Sequence, residues 1–328
     1  MWLISMPSPW EARAGPHKRS PNRDAYLTSR LHRYSRKEVQ NIIASGRVFL
    51  RGRSAKPASR VAAGETIIIC YPRREEPPCL HETLPILYED EYILAVNKPG
   101  DLLSHPTDQI LLNSVTSILS RQFKGRSLHL VHRLDRETSG VLLFAKNPDS
   151  ARALSDQFSQ RLIEKEYLAI VSGAVSWKEI KVDLPLGKEG LEIKVRQTAG
   201  QGLPAITEFH RQDANQGFSL VRALPKTGRL HQIRVHLAQM GHPVLGDKLY
   251  TGKGEIYMKA VRKEMGLKDL QFLGAKRQML HSWKLTMRHP KSEQKTALVA
   301  PLPQDFLECL KQHALSIPEI PHYDQAKN

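Results

Sequence analysis

One stretch constrains this chain more than any other: His132-Arg133-Leu134-Asp135-Arg136-Glu137-Thr138-Ser139-Gly140, running straight into Val141-Leu142-Leu143-Phe144-Ala145. Five consecutive apolar residues after a glycine read as a strand in a sheet interior, buried on both faces. The polar residues before the glycine place a single carboxylate, Asp135, on the loop that feeds this strand. Flanking guanidinium groups from Arg133 and Arg136 keep such a carboxylate ionised and attract a polyanion towards it. Taken alone, an Arg-x-Asp-Arg cluster is equally an ordinary surface ion-pair group.

The charge balance names the kind of polyanion the chain suits. Forty-nine Lys and Arg stand against 33 Asp and Glu, a net +16 over 328 residues. That excess favours a phosphate backbone, whose binding is mostly electrostatic. Residues 1–60 hold 13 basic and 3 acidic side chains, so +10 of the +16 lies in the first fifth of the chain. The N-terminal part is therefore the expected docking surface. A hydrophobic content of 40 % supports a real core, and no apolar run approaches the ~20 residues of a membrane helix. Met1 to Trp10 has a short apolar patch with Pro7 and Pro9 and no preceding positive cluster, which argues against a signal peptide. Cys70, Cys79 and Cys309 are odd in number and lack Cys-x-x-Cys spacing. They read as reduced thiols of a cytoplasmic protein, with neither a disulfide framework nor a zinc site.

Composition and pattern divide the chain into a disordered basic tail (1–24), a small unit (25–72), a linker (73–84), a large domain (85–310) and a C-terminal tail (311–328). In the small unit, Val39, Ile42 and Ile43 fall at helical spacing before Gly46, Val48–Leu50 and Thr66–Cys70 read as strands, and Arg51 to Arg53 as a turn. In the large domain, Tyr92–Val96, Val141–Ala145 and Tyr167–Val171 read as strands and Asp149–Phe158 as a helix. Leu230, Ile233, Leu237 and Met240 form a helical stripe closed by Gly241.

Several segments resemble, in order, the motifs of the RluA-type family of RNA pseudouridine synthases. They are Val96–Gly100 with Ser104-His105-Pro106, the Asp135 loop, Lys165–Ala169, Pro225–Leu237 with Gly241–Asp247, and Met279–Ser282. Together they span some 190 residues. The resemblance implies an α+β pseudouridine synthase fold, with a mixed, largely antiparallel central sheet, flanking helices and a long cleft. It also implies an isomerase that breaks the nitrogen–carbon glycosidic bond of uridine, turns the uracil and rejoins the ribose through carbon-5. Such a reaction needs no cofactor and no metal. It needs a carboxylate at the anomeric carbon, as retaining glycosidases do, acting as a nucleophile or as a base on the ribose.

By the same resemblance Asp135 is that carboxylate, and Arg234 is the basic residue that pairs with it. Tyr167 lies against the uracil and is a candidate for the proton step, and Leu280 packs on the base's other side with Ile233 nearby. Arg133 fills the stack vacated when a base is extruded. His132 is open to two readings, an RNA contact or a packing role in the loop. Leu230 stands where threonine or serine is common, and Ser282 where alanine is usual. Neither removes a catalytic group, so both are expected to affect loop detail rather than activity. Residues 253–276, with Lys259, Arg262, Lys263, Lys268 and Lys276, read as a solvated helical excursion or an added RNA contact.

Residues 35–67, from Ser35-Arg36-Lys37-Glu38 through Gly46-Arg47-Val48 to Gly64-Glu65, resemble the small α/β RNA-binding domain named after ribosomal protein S-four. Arg33, Arg36, Lys37, Arg47, Arg51 and Arg53 would be its RNA contacts. Family members with such a domain act on large-subunit ribosomal RNA, which makes ribosomal RNA the expected partner and tRNA the alternative, for a monomer with no membrane association. A non-catalytic RNA-binding ribosome-assembly factor on the same scaffold would be expected to have lost Asp135, Tyr167 or Arg234. A zinc nucleobase deaminase is excluded by the missing His-x-Glu and Pro-Cys-x-x-Cys signatures.

Overall fold

The computed structural model describes residues 10–13, 27, 35–50, 53–56, 66–69, 76, 80–107, 110–188, 190, 193 and 195–318. The chain separates into two units, Met1–Glu75 and Glu76–Asn328.

In the first unit, strands β1 (Trp10–Arg13), β2 (Val48–Leu50), β3 (Arg53–Ser54) and β4 (Thr66–Ile69) form an antiparallel sheet in the order β1-β4-β2-β3. Helix α1 (Arg36–Ala44) starts where a capping box is written in the sequence. The Ser35 hydroxyl accepts the Glu38 N–H while the Glu38 carboxylate accepts the Ser35 N–H at 2.7 Å. Val39 and Ile43 pack on Leu27, Val48, Ala55, Ile67 and Ile69. Two expectations change. Trp10–Arg13, within the expected disordered tail, pairs with β4 from Trp10 opposite Ile69 to Arg13 opposite Thr66; the isoleucine strand would otherwise leave a bare hydrogen-bonding edge. Arg53 belongs to a short strand paired with β2, not to the turn. Cys70 and Cys79 lie outside the described residues.

The second unit is α+β. Its strands are β5 (Ile86–Glu89), β6 (Ile93–Lys98), β7 (His129–Leu130), β8 (Ser139–Ala145), β9 (Glu164–Ser172), β10 (Glu179–Asp183), β11 (Leu186–Lys188), β12 (Gln197–Ala199), β13 (Ile206–Ala214), β14 (Phe218–Pro225), β15 (Leu280–Arg288) and β16 (Lys295–Val299). Its helices are α2 (Val115–Gln122), α3 (Pro148–Ser159), α4 (Gln232–Gln239), α5 (Glu255–Arg262), α6 (Leu267–Leu273) and α7 (Gln304–Gln312). The central sheet runs β10-β13-β14-β9-β15-β8-β6-β5, with β16 on β15 and β7 on β8, while β11 and β12 pair separately. β15 and β8 are parallel, His281 opposite Ser139 and Ser282 opposite Gly140. The other pairs of this sheet are antiparallel.

The continuous apolar runs follow from covering both faces. Alternate residues of β6 and β8 separate: Ile93, Ala95, Val141 and Leu143 pack with Leu154 of α3, whereas Leu94, Val96, Leu142 and Phe144 pack with Val115, Ile118 and Leu119 of α2. All seven residues of β8 are buried, each large side chain contributing about 1.5–3 kcal/mol. β9 repeats the arrangement: Leu168 and Ile170 face Phe306 and Leu310 of α7, and Ala169 and Val171 face Ile233 and Leu237 of α4. Ser282 of β15 stands opposite Gly140 of β8 on one side and opposite Tyr167 of β9 on the other, which is how the sheet carries Gly140 and Tyr167 to one place.

The ordered unit reaches further at both ends than pattern suggests. Glu76 accepts the backbone N–H groups of Leu111, Leu112 and Asn113, and Leu84 is buried against α2, so these residues of the expected linker are fixed to the second unit. Leu315, in the expected C-terminal tail, is buried beside Phe306, and Cys309 is a free buried thiol. Leu230 is exposed and precedes α4, because His231 turns the chain with φ +57°. No helix among the described residues is long and apolar enough to cross a membrane.

Candidate active site

Residues 131–138, between β7 and β8, have little regular structure, so their backbone polar groups need partners from elsewhere. The buried Ser104 hydroxyl accepts the Leu134 N–H at 3.0 Å and donates to the Leu134 carbonyl at 2.8 Å. Lys98 has no exposed surface, and its Nζ donates to the carbonyls of Arg136 (2.9 Å) and Pro99 (2.8 Å). Burial and the Arg277 charge push this ammonium down to about 7. Arg277 donates Nη1 to the Glu137 carbonyl at 3.0 Å while Nε and Nη2 hold Asp305. Gln278 donates Nε2 to the Thr138 hydroxyl at 2.6 Å. Gly140 closes the motif because its φ is +111° and a Cβ there would stand 2.1 Å from the Ser282 carbonyl.

The loop so held presents Asp135 to Arg234 on α4. Arg234 donates Nη1 to Asp135 Oδ2 at 2.7 Å, and its Nε and Nη2 grip both oxygens of Asp247 at 2.6 and 2.8 Å. Asp247 is completely buried, and its Oδ1 also accepts the N–H groups of Leu249 (2.9 Å) and Tyr250 (3.2 Å). The guanidinium lies 5.0 Å from the centre of the Tyr250 ring. The Tyr250 hydroxyl accepts the Gln197 N–H at 3.0 Å and meets His231 Nδ1 at 2.9 Å, and His231 Nε2 stands 3.8 Å from Asp135. Burial alone would raise the Asp135 carboxyl, but the charge and hydrogen bond of Arg234 outweigh it and leave the group below its ordinary value. His231 is driven the other way, to about 4, by burial and by Arg234, so it is neutral.

Above this pair opens a cleft of about 300 Å³, enough for one nucleoside. Asp135, Tyr167 and Arg234 line it, together with Arg133, Ile233, Leu280 and His132. Tyr167 of β9 lies opposite Ala223 of β14 and Ser282 of β15. Burial pushes its hydroxyl up to about 12, with a further push from the Asp135 charge. Leu280 and Ile233 are buried in the wall, and Arg133 is exposed at the mouth. His132 lines the cleft and also packs: its Nε2 accepts the Leu143 N–H at 3.0 Å and its ring stacks on Phe158 with centroids 5.0 Å apart. Burial and then the Lys165 charge hold it near 3, so it is neutral. Ser282 lies on β15 directly opposite Tyr167, and its buried hydroxyl donates to the Val141 carbonyl at 3.4 Å.

Residues 92–239 match a family model described as RNA pseudouridylate synthase. The chain is 30 % identical over 328 residues to ribosomal large subunit pseudouridine synthase D of Haemophilus influenzae, covering 96 % of this chain and 97 % of that protein. It is 32 % identical over 300 residues to ribosomal large subunit pseudouridine synthase C of Salmonella typhimurium, covering 88 % and 91 %. The chain belongs to the RluA-type family of RNA pseudouridine synthases. Among solved structures, it resembles human RNA pseudouridylate synthase domain containing 4, with 28 % identity and a TM-score of 0.57, covering 72 % of the synthase chain and 95 % of the human one. The synthase is therefore an isomerase acting on RNA, and its fold is that of the family.

Several groups in the synthase's site were not assigned by sequence reasoning. Asp247 ends a motif segment, yet nothing in its neighbourhood marks it as the buried clamp of Arg234. Lys98 and Ser104 also lie in motif segments, and their roles as loop supports appear only once residues 38 and 30 positions away, Arg136 and Leu134, are brought beside them. His231 lies in a motif segment too but was assigned no role, and Tyr250, Arg277 and Gln278 gave no signal beyond residue type. Of the basic residues expected to meet RNA in the small unit, Arg36 and Lys37 are exposed at the start of α1, Arg47 leads into β2, and Arg53 is exposed on β3. Arg33 and Arg51 lie outside the described residues. Residues 253–276 hold α5 and α6, tied by a Lys259–Asp269 ion pair at 2.7 Å.

Proposed function

We propose that this synthase isomerises uridine in large-subunit ribosomal RNA, with Asp135 as the carboxylate that works at the anomeric carbon. The observation that carries the reading is an ionised carboxylate, aimed by Arg234, at the wall of a cleft sized for one nucleoside. Whether as nucleophile or as base, the ionised form is the one required. As the N1–C1′ bond breaks, the uracil leaves with the electron pair. It turns between Tyr167 and the apolar wall of Leu280 and Ile233 before carbon-5 bonds to C1′. The carbon-5 proton must then depart and N1 must take one up. Tyr167 holds its own proton at neutral pH, so it serves as a relay that accepts one proton while passing another on. Arg133, exposed at the mouth, is placed to stack where the extruded base had been.

The target RNA is inferred from the relatives named as large-subunit enzymes, at 30 % and 32 % identity over most of the chain. The small unit acts as the S-four-like RNA anchor, since α1 and the sheet display Arg36, Lys37, Arg47 and Arg53 around one core. The test is Asp135→Asn, which keeps shape and removes charge. It should bind RNA within a few-fold of the parent and form no pseudouridine. Turnover close to the parent's would remove Asp135 from the chemistry.

A further inference from the structure

Lys165 stands two residues before Tyr167 on β9, so both side chains leave the face of the strand that lines the cleft. Its acidic neighbours leave the other face and are taken: Glu164 by Lys295 at 3.0 Å, Glu166 by Lys284 at 3.2 Å and Arg222 at 3.5 Å. Strand alternation thus denies Lys165 these two carboxylates. Among the described residues, its Nζ makes one long hydrogen bond, 3.4 Å to the Thr227 carbonyl. An ammonium lined up with a binding cleft and given so little compensation is expensive to bury. Burial, and then repulsion from Arg161, push it down to about 8. Gly228 lies beside it at the cleft mouth, exposed, where a Cβ would come 3.8 Å from Nζ.

We propose that Lys165 binds a backbone phosphate of the substrate RNA, next to the uridine that enters the cleft. The assignment rests on the reading that the uridine is delivered to Asp135. A nucleotide swung out of its stack brings its flanking phosphates to the mouth of the pocket. A lysine there acts as a point charge for phosphate oxygen. The carboxylates of Asp135 and Asp247 are already engaged, both with Arg234, so the phosphate supplies the missing counter-charge.

The test is an affinity cycle in the Asp135→Asn background, where the RNA stays unconverted. The probe is a synthetic stem-loop that the parent enzyme converts at a single uridine, made also in versions with one methylphosphonate at each of the phosphates flanking that uridine. Lys165→Met should weaken binding of the unmodified stem-loop by roughly 10- to 100-fold. One methylphosphonate position should weaken binding to the unsubstituted lysine by a similar factor and weaken the Met variant no further. Lys165→Arg, which keeps the charge, should retain most of the affinity and remain sensitive at the same position, separating charge loss from misfolding. If the Met variant responded to every methylphosphonate as the lysine form does, the phosphate contact would be excluded. Turnover by Asp135→Asn would instead sink the catalytic reading, whatever the affinities show.

Discussion

Removing the clamp behind the ion pair tests whether the geometry of Arg234, and not its charge alone, sustains the site. Asp247→Asn preserves volume, and the remaining carbonyl oxygen can still accept the Leu249 and Tyr250 amides. The other oxygen, which takes Arg234 Nε at 2.6 Å in a fully buried setting, becomes an amide NH2 that donates and cannot accept. A charge-assisted bond of about 1.5–3 kcal/mol is lost, and donor faces donor. Breaking a buried pair by removing one partner costs about 3–5 kcal/mol in total. At about 2–4 °C per kcal/mol for a unit of this size, the melting temperature should fall by roughly 6–20 °C. With Arg234 no longer aimed, kcat should drop by about 10²- to 10³-fold, the scale of losing one preorganised electrostatic partner.

The pH profile of kcat separates positioning from charge. In the parent, Arg234 keeps Asp135 below its ordinary value against the upward push of burial. If Asp247 merely contributed negative charge, deleting it would lower Asp135 further and move the acid limb down. If it positions Arg234, its loss lets burial prevail, the Asp135 carboxyl rises, and activity declines as pH falls from neutral. We expect the second result, with partial recovery towards alkaline pH, each unit of displacement corresponding to about 1.4 kcal/mol. Release of tritium from carbon-5-labelled uridine in RNA reads kcat, and calorimetry reads the melting temperature. A variant with parental melting temperature and kcat, or an acid limb displaced downward, would refute the positioning role.

Two other perturbations address the base and the anchor. Tyr167→Phe keeps the ring and should bind RNA as the parent does, cleave the glycosidic bond, and stall before tritium release; near-parental release would reduce Tyr167 to a packing surface. A chain beginning at Glu75 retains the Glu76 carboxylate that receives the amides of Leu111 to Asn113, so it should keep its second unit folded and its turnover on a saturating short substrate. It should bind structured RNA less tightly, with a slope of log affinity against log salt shallower by about 0.7–0.9 for each phosphate that is no longer neutralised, and unchanged affinity and slope would exclude the small unit as the anchor.

Much of the frame was legible because it rests on local physics. The five apolar residues after Gly140 read as an interior strand, and they are one, since α2 and α3 cover its two faces. The capping box at Ser35 and Glu38 marks the start of α1 from sequence alone. What pattern could not supply was pairing. A run such as Val141–Ala145 is equally apolar read in either direction, so nothing in it specifies a parallel neighbour in β15 and antiparallel ones in β6 and β7. The edge strand Trp10–Arg13 was lost for a similar reason, its four alternating residues being too few to stand out beside prolines. The site was legible through motif likeness only: 99 residues separate Asp135 from Arg234, and periodicity holds no information about so distant a meeting.

The hydrogen bonds around Asp135 also bear on what must move during the reaction. Ser104 satisfies both backbone groups of Leu134, Lys98 holds the Arg136 carbonyl, Arg277 the Glu137 carbonyl, and Gln278 the Thr138 hydroxyl. Those supports come from separate segments, each rooted in or beside a buried strand, so shifting the loop would strand several buried donors at once at about 1–3 kcal/mol apiece. Arg234 is held equally firmly by Asp247. A loop and counter-ion fixed in advance spend little reorganisation on binding, which is the condition under which a charged pair in a partly dry pocket works best. The mobile partner is then the RNA, whose uridine must leave its stack and whose uracil must turn within the cleft. On the proposed reading it would turn against Leu280 and Ile233, whose apolar side chains offer no hydrogen bond that would have to be broken midway. A loop held firmly at Asp135 beside a partly apolar wall therefore suits the proposed reaction, which breaks and remakes one bond to the same carbon.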